Sequence, residues 1–201
     1  ELLLYDTQAP ALVGLRKHFI CSARLDNLLS CFIALHSLID SNDDCASILV
    51  CNDHEEVGSV SAAGADGPFL KSVLQRMLEA EEAEEGAASK ASAASFDRAI
   101  QNSVLLSVDN AHGVHPNFSD KHDAAHSPKL NAGPVIKINA NQRYASNSHT
   151  IALLKSICNR LDICHQSFVV RSDMGCGSTI GPITSALLGI ATVDVGIASF
   201  A

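Results

Sequence analysis

The 201-residue chain has no run of about 18 apolar residues, so nothing in it reads as a membrane-spanning helix. It has no excess of basic charge: 14 Lys and Arg stand against 22 Asp and Glu, for a formal net charge of −8. Nucleic-acid partners need basic stripes to displace counterions, and that class is set aside. The seven cysteines, Cys21, Cys31, Cys45, Cys51, Cys158, Cys164 and Cys176, contain no Cys-x-x-Cys pair, which argues against a zinc ribbon. Their odd count and apolar neighbours fit buried, reduced thiols in a cytosolic protein. No charged-then-apolar signal segment opens the chain. It starts at Glu1 and runs into Leu2-Leu3-Leu4-Tyr5, which reads as a strand cut from something longer, with any targeting signal outside it.

What is present is a globular pattern. The apolar fraction is 47%, too high for a disordered chain. Short apolar runs at Ile48–Cys51, Val104–Val108, Val135–Ile138, Phe168–Val170 and Ile190–Ile197 predict strands. Three- and four-residue apolar steps through Leu28, Cys31, Phe32, Leu35, Leu38 and Ile39 predict a helix over 27–40. Further helices are predicted over 148–161 and from Thr179 to Leu188. Strands alternating with helices imply an α/β fold, a three-layer αβα sandwich around a largely parallel mixed sheet. Glu79–Glu85, with five glutamates, and the small residues of 86–95 read as a solvated, partly helical insertion. No internal repeat or domain boundary is evident.

In an open α/β sheet, chemistry collects beyond the carboxyl ends of the strands. Asp53, Glu55 and Glu56 follow the 48–51 run, while Asp109, His112 and His115 follow the 104–108 run. Asp26 stands at the start of the first helix. Taken singly, Asp26 reads as a helix N-cap, Asp109 as a turn residue, and Glu55-Glu56 as an acidic turn facing solvent. Taken together they offer carboxylate and imidazole ligands of the kind hydrolytic zinc takes. A two-metal site needs one carboxylate that bridges both ions. Beyond a strand end the backbone can turn, so that one glutamate ligates while its neighbour acts as general base. The Gly175-Cys176-Gly177-Ser178 stretch lacks the Gly-Lys-Ser/Thr ending of a phosphate loop; its glycines better fit a close backbone approach.

Several segments together resemble the aspartyl aminopeptidase family. They are Asp6-Thr7-Gln8, Arg24-Leu25-Asp26-Asn27, Glu55-Glu56-Val57-Gly58-Ser59 and Asp109-Asn110-Ala111-His112-Gly113-Val114-His115-Pro116-Asn117, followed by Gly133-Pro134-Val135-Ile136-Lys137, Gln142-Arg143-Tyr144-Ala145-Ser146-Asn147 and Cys176-Gly177-Ser178-Thr179-Ile180-Gly181-Pro182. The resemblance implies zinc-dependent removal of N-terminal Asp or Glu from peptides. It implies two Zn2+ ions bridged by Asp26, with Glu56 on one and Asp109 on the other, and Glu55 as general base. It places the substrate against Glu55, Asp109, His112, Lys137 and Tyr144, with Asp6 and His115 in support. It also implies a cis peptide between Asp26 and Asn27 and a homo-oligomer of twelve subunits, while the reduced cysteines carry the expectation of a cytoplasmic location.

By the same resemblance, residues 1–201 are part of a catalytic domain. The family's inserted oligomerisation domain and its two zinc-binding histidine segments fall outside them, which puts metal affinity and activity of this segment in doubt. Two alternatives stand beside this reading: a di-zinc aminopeptidase for neutral N-terminal residues, and a non-catalytic assembly protein that keeps the fold. Lys137 by itself reads as a lysine on a solvated face or a sheet edge, and Tyr144 as ordinary packing.

Overall fold

The computed structural model describes residues 2–42, 45–84 and 93–200. They form two compact units, one reaching to Leu49 and the other spanning Val50–Phe200.

The first unit holds a short antiparallel pair, β1 (Ala11–Val13) and β2 (Phe19–Cys21), followed by helix α1 (Leu25–Ile39). The helix does not start on an acidic cap. Arg24 occupies the N-cap with φ 60°, and Asp26 and Asn27 have non-helical dihedrals inside the first turn. The peptide joining Asp26 to Asn27 is cis, as the family resemblance implies. Leu2-Leu3-Leu4-Tyr5 is not a strand, contrary to the sequence expectation, because its backbone has no ladder partner among the described residues.

The second unit contains α2 (Phe69–Glu84), α3 (Ala93–Gln101), β3 (Val104–Val108), β4 (Ala111–His112), β5 (Val135–Ile138), α4 (Ser148–Arg160), β6 (Gln166–Val169), α5 (Ile180–Leu188), β7 (Ala191–Gly196) and β8 (Ala198–Ser199). The main sheet has the order β3-β7-β5-β6. β3 runs parallel to β7 and β5 parallel to β6, while β5 and β7 are antiparallel. This is the α/β architecture with a mixed sheet that the alternating pattern predicts. The Ile48–Cys51 run is a correction, since it forms no strand. An apolar run becomes a strand only when a neighbour completes its hydrogen bonds, and this run has no ladder partner among the described residues.

Interior strands carry the core. Val135 and Ile136 are 0% exposed and Val193 1%. Burying a side chain of this size contributes about 1.5–3 kcal/mol. The glutamate-rich run is helical through Glu84, as Glu and Ala favour, and α2 has no buried residue. Residues 85–92 of the expected insertion lie outside the described residues. The seven cysteines are free thiols, with only Cys158 buried. No described helix is long and apolar enough to cross a membrane.

Candidate functional site

Glu55 and Glu56 sit on a single 3-10 turn, Glu55–Val57, entered through His54 (φ 60°) and left through Gly58 (φ 100°). Successive residues of such a turn point about 120° apart at three residues per turn, so the two carboxylates diverge. Glu55 is half-buried and Glu56 exposed. The Gly58 N–H donates to the Glu55 carbonyl at 2.9 Å, and the Ser59 N–H to the His54 carbonyl at 2.8 Å, which holds the turn. The Glu55 carboxyl is pushed above its ordinary range, first by burial and then by the charges of Asp109 and Glu56, with Lys137 opposing them. Two further carboxylates and one ammonium thus bear on Glu55.

Asp109 follows β3 directly, and its N–H donates to the Val195 carbonyl at 3.1 Å. The backbone of this turn passes so close to β7 that a Cβ on Gly196 would collide with the Asp109 carbonyl oxygen. Lys137 lies on β5, between β7 and β6, and is 4% exposed. It is therefore neither at an edge nor on a solvated face. Its Nζ donates to Asp109 Oδ2 at 2.9 Å.

The sheet register explains how these side chains meet. Ser107 pairs with Asp194, and Lys137 with Phe168. One step beyond the Ile136–Val195 pair, the antiparallel register sets Lys137 opposite Asp194. Residues opposite each other share a face, so Ser107, Asp194, Lys137 and Phe168 form one row across the sheet. Tyr144, on the connection from β5 to α4, covers this row. It is 6% exposed, its ring centroid lies 5.6 Å from Lys137 Nζ, and it meets Phe168 edge-on at 6.3 Å. The ammonium is within cation–π range of the phenol ring. Burial, then a hydrogen bond with Cys176, then the charges of Cys176, Asp109 and Asp194 raise the phenol well above its ordinary value, so it keeps its proton.

His112 is exposed on β4, which pairs with β8, and its ring lies 6.3 Å from Phe168. On the same ring, at 6.2 Å, stands His122, a residue the sequence did not single out. Burial and then the neighbouring His112 push its basicity down. His115 serves the backbone, since its Nδ1 accepts from the Asn117 N–H at 3.1 Å and caps the 3-10 turn Pro116–Lys121. Asp6 belongs to the first unit, is exposed, and accepts from the Gln8 N–H at 2.8 Å. Asp26 also belongs to the first unit. Within the second unit, the structure gathers Glu55, Glu56, Asp109, Lys137 and Tyr144, with His112 beside Phe168.

These groups fit a divalent cation in kind, since Glu55, Glu56 and Asp109 offer carboxylate oxygens. Among the described residues, however, no three His, Cys, Asp or Glu side chains are grouped closely enough to hold an ion. A zinc site built on Glu56 and Asp109 needs further donors.

The sequence of residues 1–201 matches the family described as aminopeptidase I zinc metalloprotease (M18). The chain is 60% identical over its whole length to a probable M18 family aminopeptidase 2 of Ectopseudomonas mendocina (strain ymp), and 58% identical to that of Pseudomonas aeruginosa (strain UCBPP-PA14). It spans 44% of the length of each of these curated relatives. Among solved structures it is similar to Ape4 in the complex of Ape4 and Nbr1, with a TM-score of 0.82 and 42% identity over 95% of this chain and 36% of that one. It is also similar to yeast aminopeptidase 1, with a TM-score of 0.81 and 28% identity over 98% of this chain and 43% of that one. Family match, relatives and fold agree, and the chain belongs to the M18 family of zinc metalloproteases.

Proposed function

We propose that this segment carries the carboxylate part of a zinc aminopeptidase site that removes N-terminal Asp or Glu from peptides. The observation that carries the reading is Lys137, a lysine 4% exposed on an interior strand and paired with Asp109. An acidic side chain entering such a pocket sheds its water at high cost unless a cation meets it. Lys137 supplies that cation, with Tyr144 as a protonated donor above it and His112 at the exposed side. The free amine of the substrate binds among the carboxylates. Glu55, whose proton affinity is raised, takes the proton of the attacking water and later delivers it to the leaving amine.

Two zinc ions are proposed, with Glu56 and Asp109 as a ligand of one each. Asp26 is assigned as the bridging carboxylate on its Arg24-Leu25-Asp26-Asn27 motif alone. When bound, zinc supplies Lewis-acid polarisation of the scissile carbonyl and eases deprotonation of water. The yeast mApe1 structure is a dodecamer, which supports a homo-oligomer here, and a cytoplasmic location is part of the same proposal.

One observation favours a second reading. The charge of Lys137 is already matched by Asp109 at 2.9 Å, as it would be in a pocket for neutral residues. The full-length enzyme is to be assayed on otherwise identical peptides that begin with Asp, Glu, Ala or Leu. A kcat/KM preference for Asp and Glu is expected. Equal or better turnover of Ala and Leu establishes the second reading, and no turnover of any peptide establishes a non-catalytic protein.

A further inference from the structure

Asp194 is wholly buried, 0% exposed, in the middle of β7. No cation pairs with it among the described residues. Its Oδ1 accepts from the Ser107 hydroxyl at 2.5 Å and the Thr179 hydroxyl at 2.6 Å, and its Oδ2 accepts from the Ala145 N–H at 2.5 Å. Its own N–H donates to Ser146 Oγ at 2.9 Å, and the same hydroxyl donates back to the Asp194 carbonyl at 3.4 Å. A Cβ on Gly181 would run into this carboxylate, so the start of α5 packs directly against it.

A buried carboxylate held only by neutral donors is an expensive brace, because well-packed apolar side chains often stabilise a core at least as well. The segments it joins give it a different meaning. Ser107 lies two residues before Asp109. Ala145 and Ser146 directly follow Tyr144. Thr179 is the N-cap of α5, three residues past Cys176, which packs against the buried cluster that contains Tyr144. Lys137 is the cross-strand neighbour of Asp194. Thr179 stands at the N-cap of α5 without capping it, since its hydroxyl is committed to Asp194.

We infer that Asp194 is a positioning residue of the substrate pocket: through the Ala145 N–H and the Ser146 hydroxyl it fixes Tyr144 over Lys137 in the orientation that binds substrate. The inference rests on the reading of Tyr144 as a substrate contact. Asp194 touches no substrate and acts through Tyr144.

The test is a double-mutant cycle in the full-length enzyme, read with whichever N-terminal peptide the unmodified enzyme cleaves best. Asp194→Ala is expected to lower kcat/KM by about 10- to 100-fold, chiefly through KM, as an ångström-scale misplacement does. With Tyr144→Phe already present, the same change should cost less than about threefold, because little of the positioned contact remains. Asp194→Asn should recover most of the loss. Its oxygen can take the Ala145 N–H while its amide donates to the two hydroxyl oxygens. If Asp194→Ala does not fold, Ser146→Ala and Thr179→Val enter the same cycle. An equal cost with and without Tyr144→Phe, or a loss that only tracks the unfolded fraction, overturns the inference. Crystal structures give a readout independent of turnover, with the Tyr144 ring in place in Asp194→Asn and displaced in Asp194→Ala. An unmodified enzyme that cleaves no peptide sinks the functional reading alone, and the ring position then decides the role of Asp194.

Discussion

The Nζ of Lys137 lies 2.9 Å from Oδ2 of Asp109, and the two side chains are 4% and 19% exposed. The pair joins a proposed specificity residue to a proposed metal ligand 28 residues away. Lys137→Met keeps the aliphatic bulk and removes the charge. Losing a desolvated charge partner costs about 2–5 kcal/mol, tens to thousands of times in rate when felt in the transition state. The expected outcome in the full-length enzyme is a sharp fall in kcat/KM for N-terminal Asp and Glu and a small change for Ala and Leu. The ratio of kcat/KM for Asp against Leu peptides is the measurement, and an unchanged ratio removes Lys137 from specificity.

The two glutamates of the 3-10 turn should separate chemistry from metal retention. Glu55→Gln should leave zinc content near that of the unmodified enzyme and abolish most turnover, because an amide cannot accept the proton of water. Glu56→Gln should lower zinc content as well. Elemental analysis after dialysis distinguishes them, and an equal loss of metal in both variants contradicts the division of roles.

Chelation should abolish peptide cleavage, and added Zn2+ should restore it. Thermal unfolding followed in parallel should show a lower midpoint in the chelated enzyme, since a ligand that binds only the folded state stabilises it. Full activity after exhaustive chelation would rule out a metal-dependent mechanism.

Gly196→Ala tests the close approach that sets Asp109 against β7. The obstruction is backbone, the Asp109 carbonyl oxygen, and cannot swing away as a side-chain end can. A destabilisation of about 1–3 kcal/mol is expected, as for overpacking in a tight core. Denaturant unfolding measures it, and an unchanged midpoint would show that the turn yields freely.

Local patterns in the chain were enough for the elements that rely on local chemistry. The apolar runs 104–108, 135–138 and 190–197 became β3, β5 and β7, and the helical spacings became α1, α4 and α5. The 48–51 run failed because a strand is completed by a neighbour, which periodicity does not contain. The adjacent acids at 55 and 56 were visible as a pair, yet their divergence depends on αL residues at His54 and Gly58. The motifs identified Lys137 and Tyr144 through family likeness, whereas hydropathy alone reads the first as a surface lysine.

By itself, the sequence determined the α/β class, the family, and the identity of the candidate acids, because each is written in contiguous residues. The tertiary structure alone decided which groups meet. Asp194 and Ser107 are 87 residues apart, and Asp194 and Ala145 are 49 apart, yet their polar atoms come within 2.5 Å. Such contacts arise from sheet register, where one strand order and one alternation of faces bring Ser107, Asp194, Lys137 and Phe168 into a single row. A buried carboxylate becomes tolerable only when that row and the Tyr144 connection close around it and supply its hydrogen bonds.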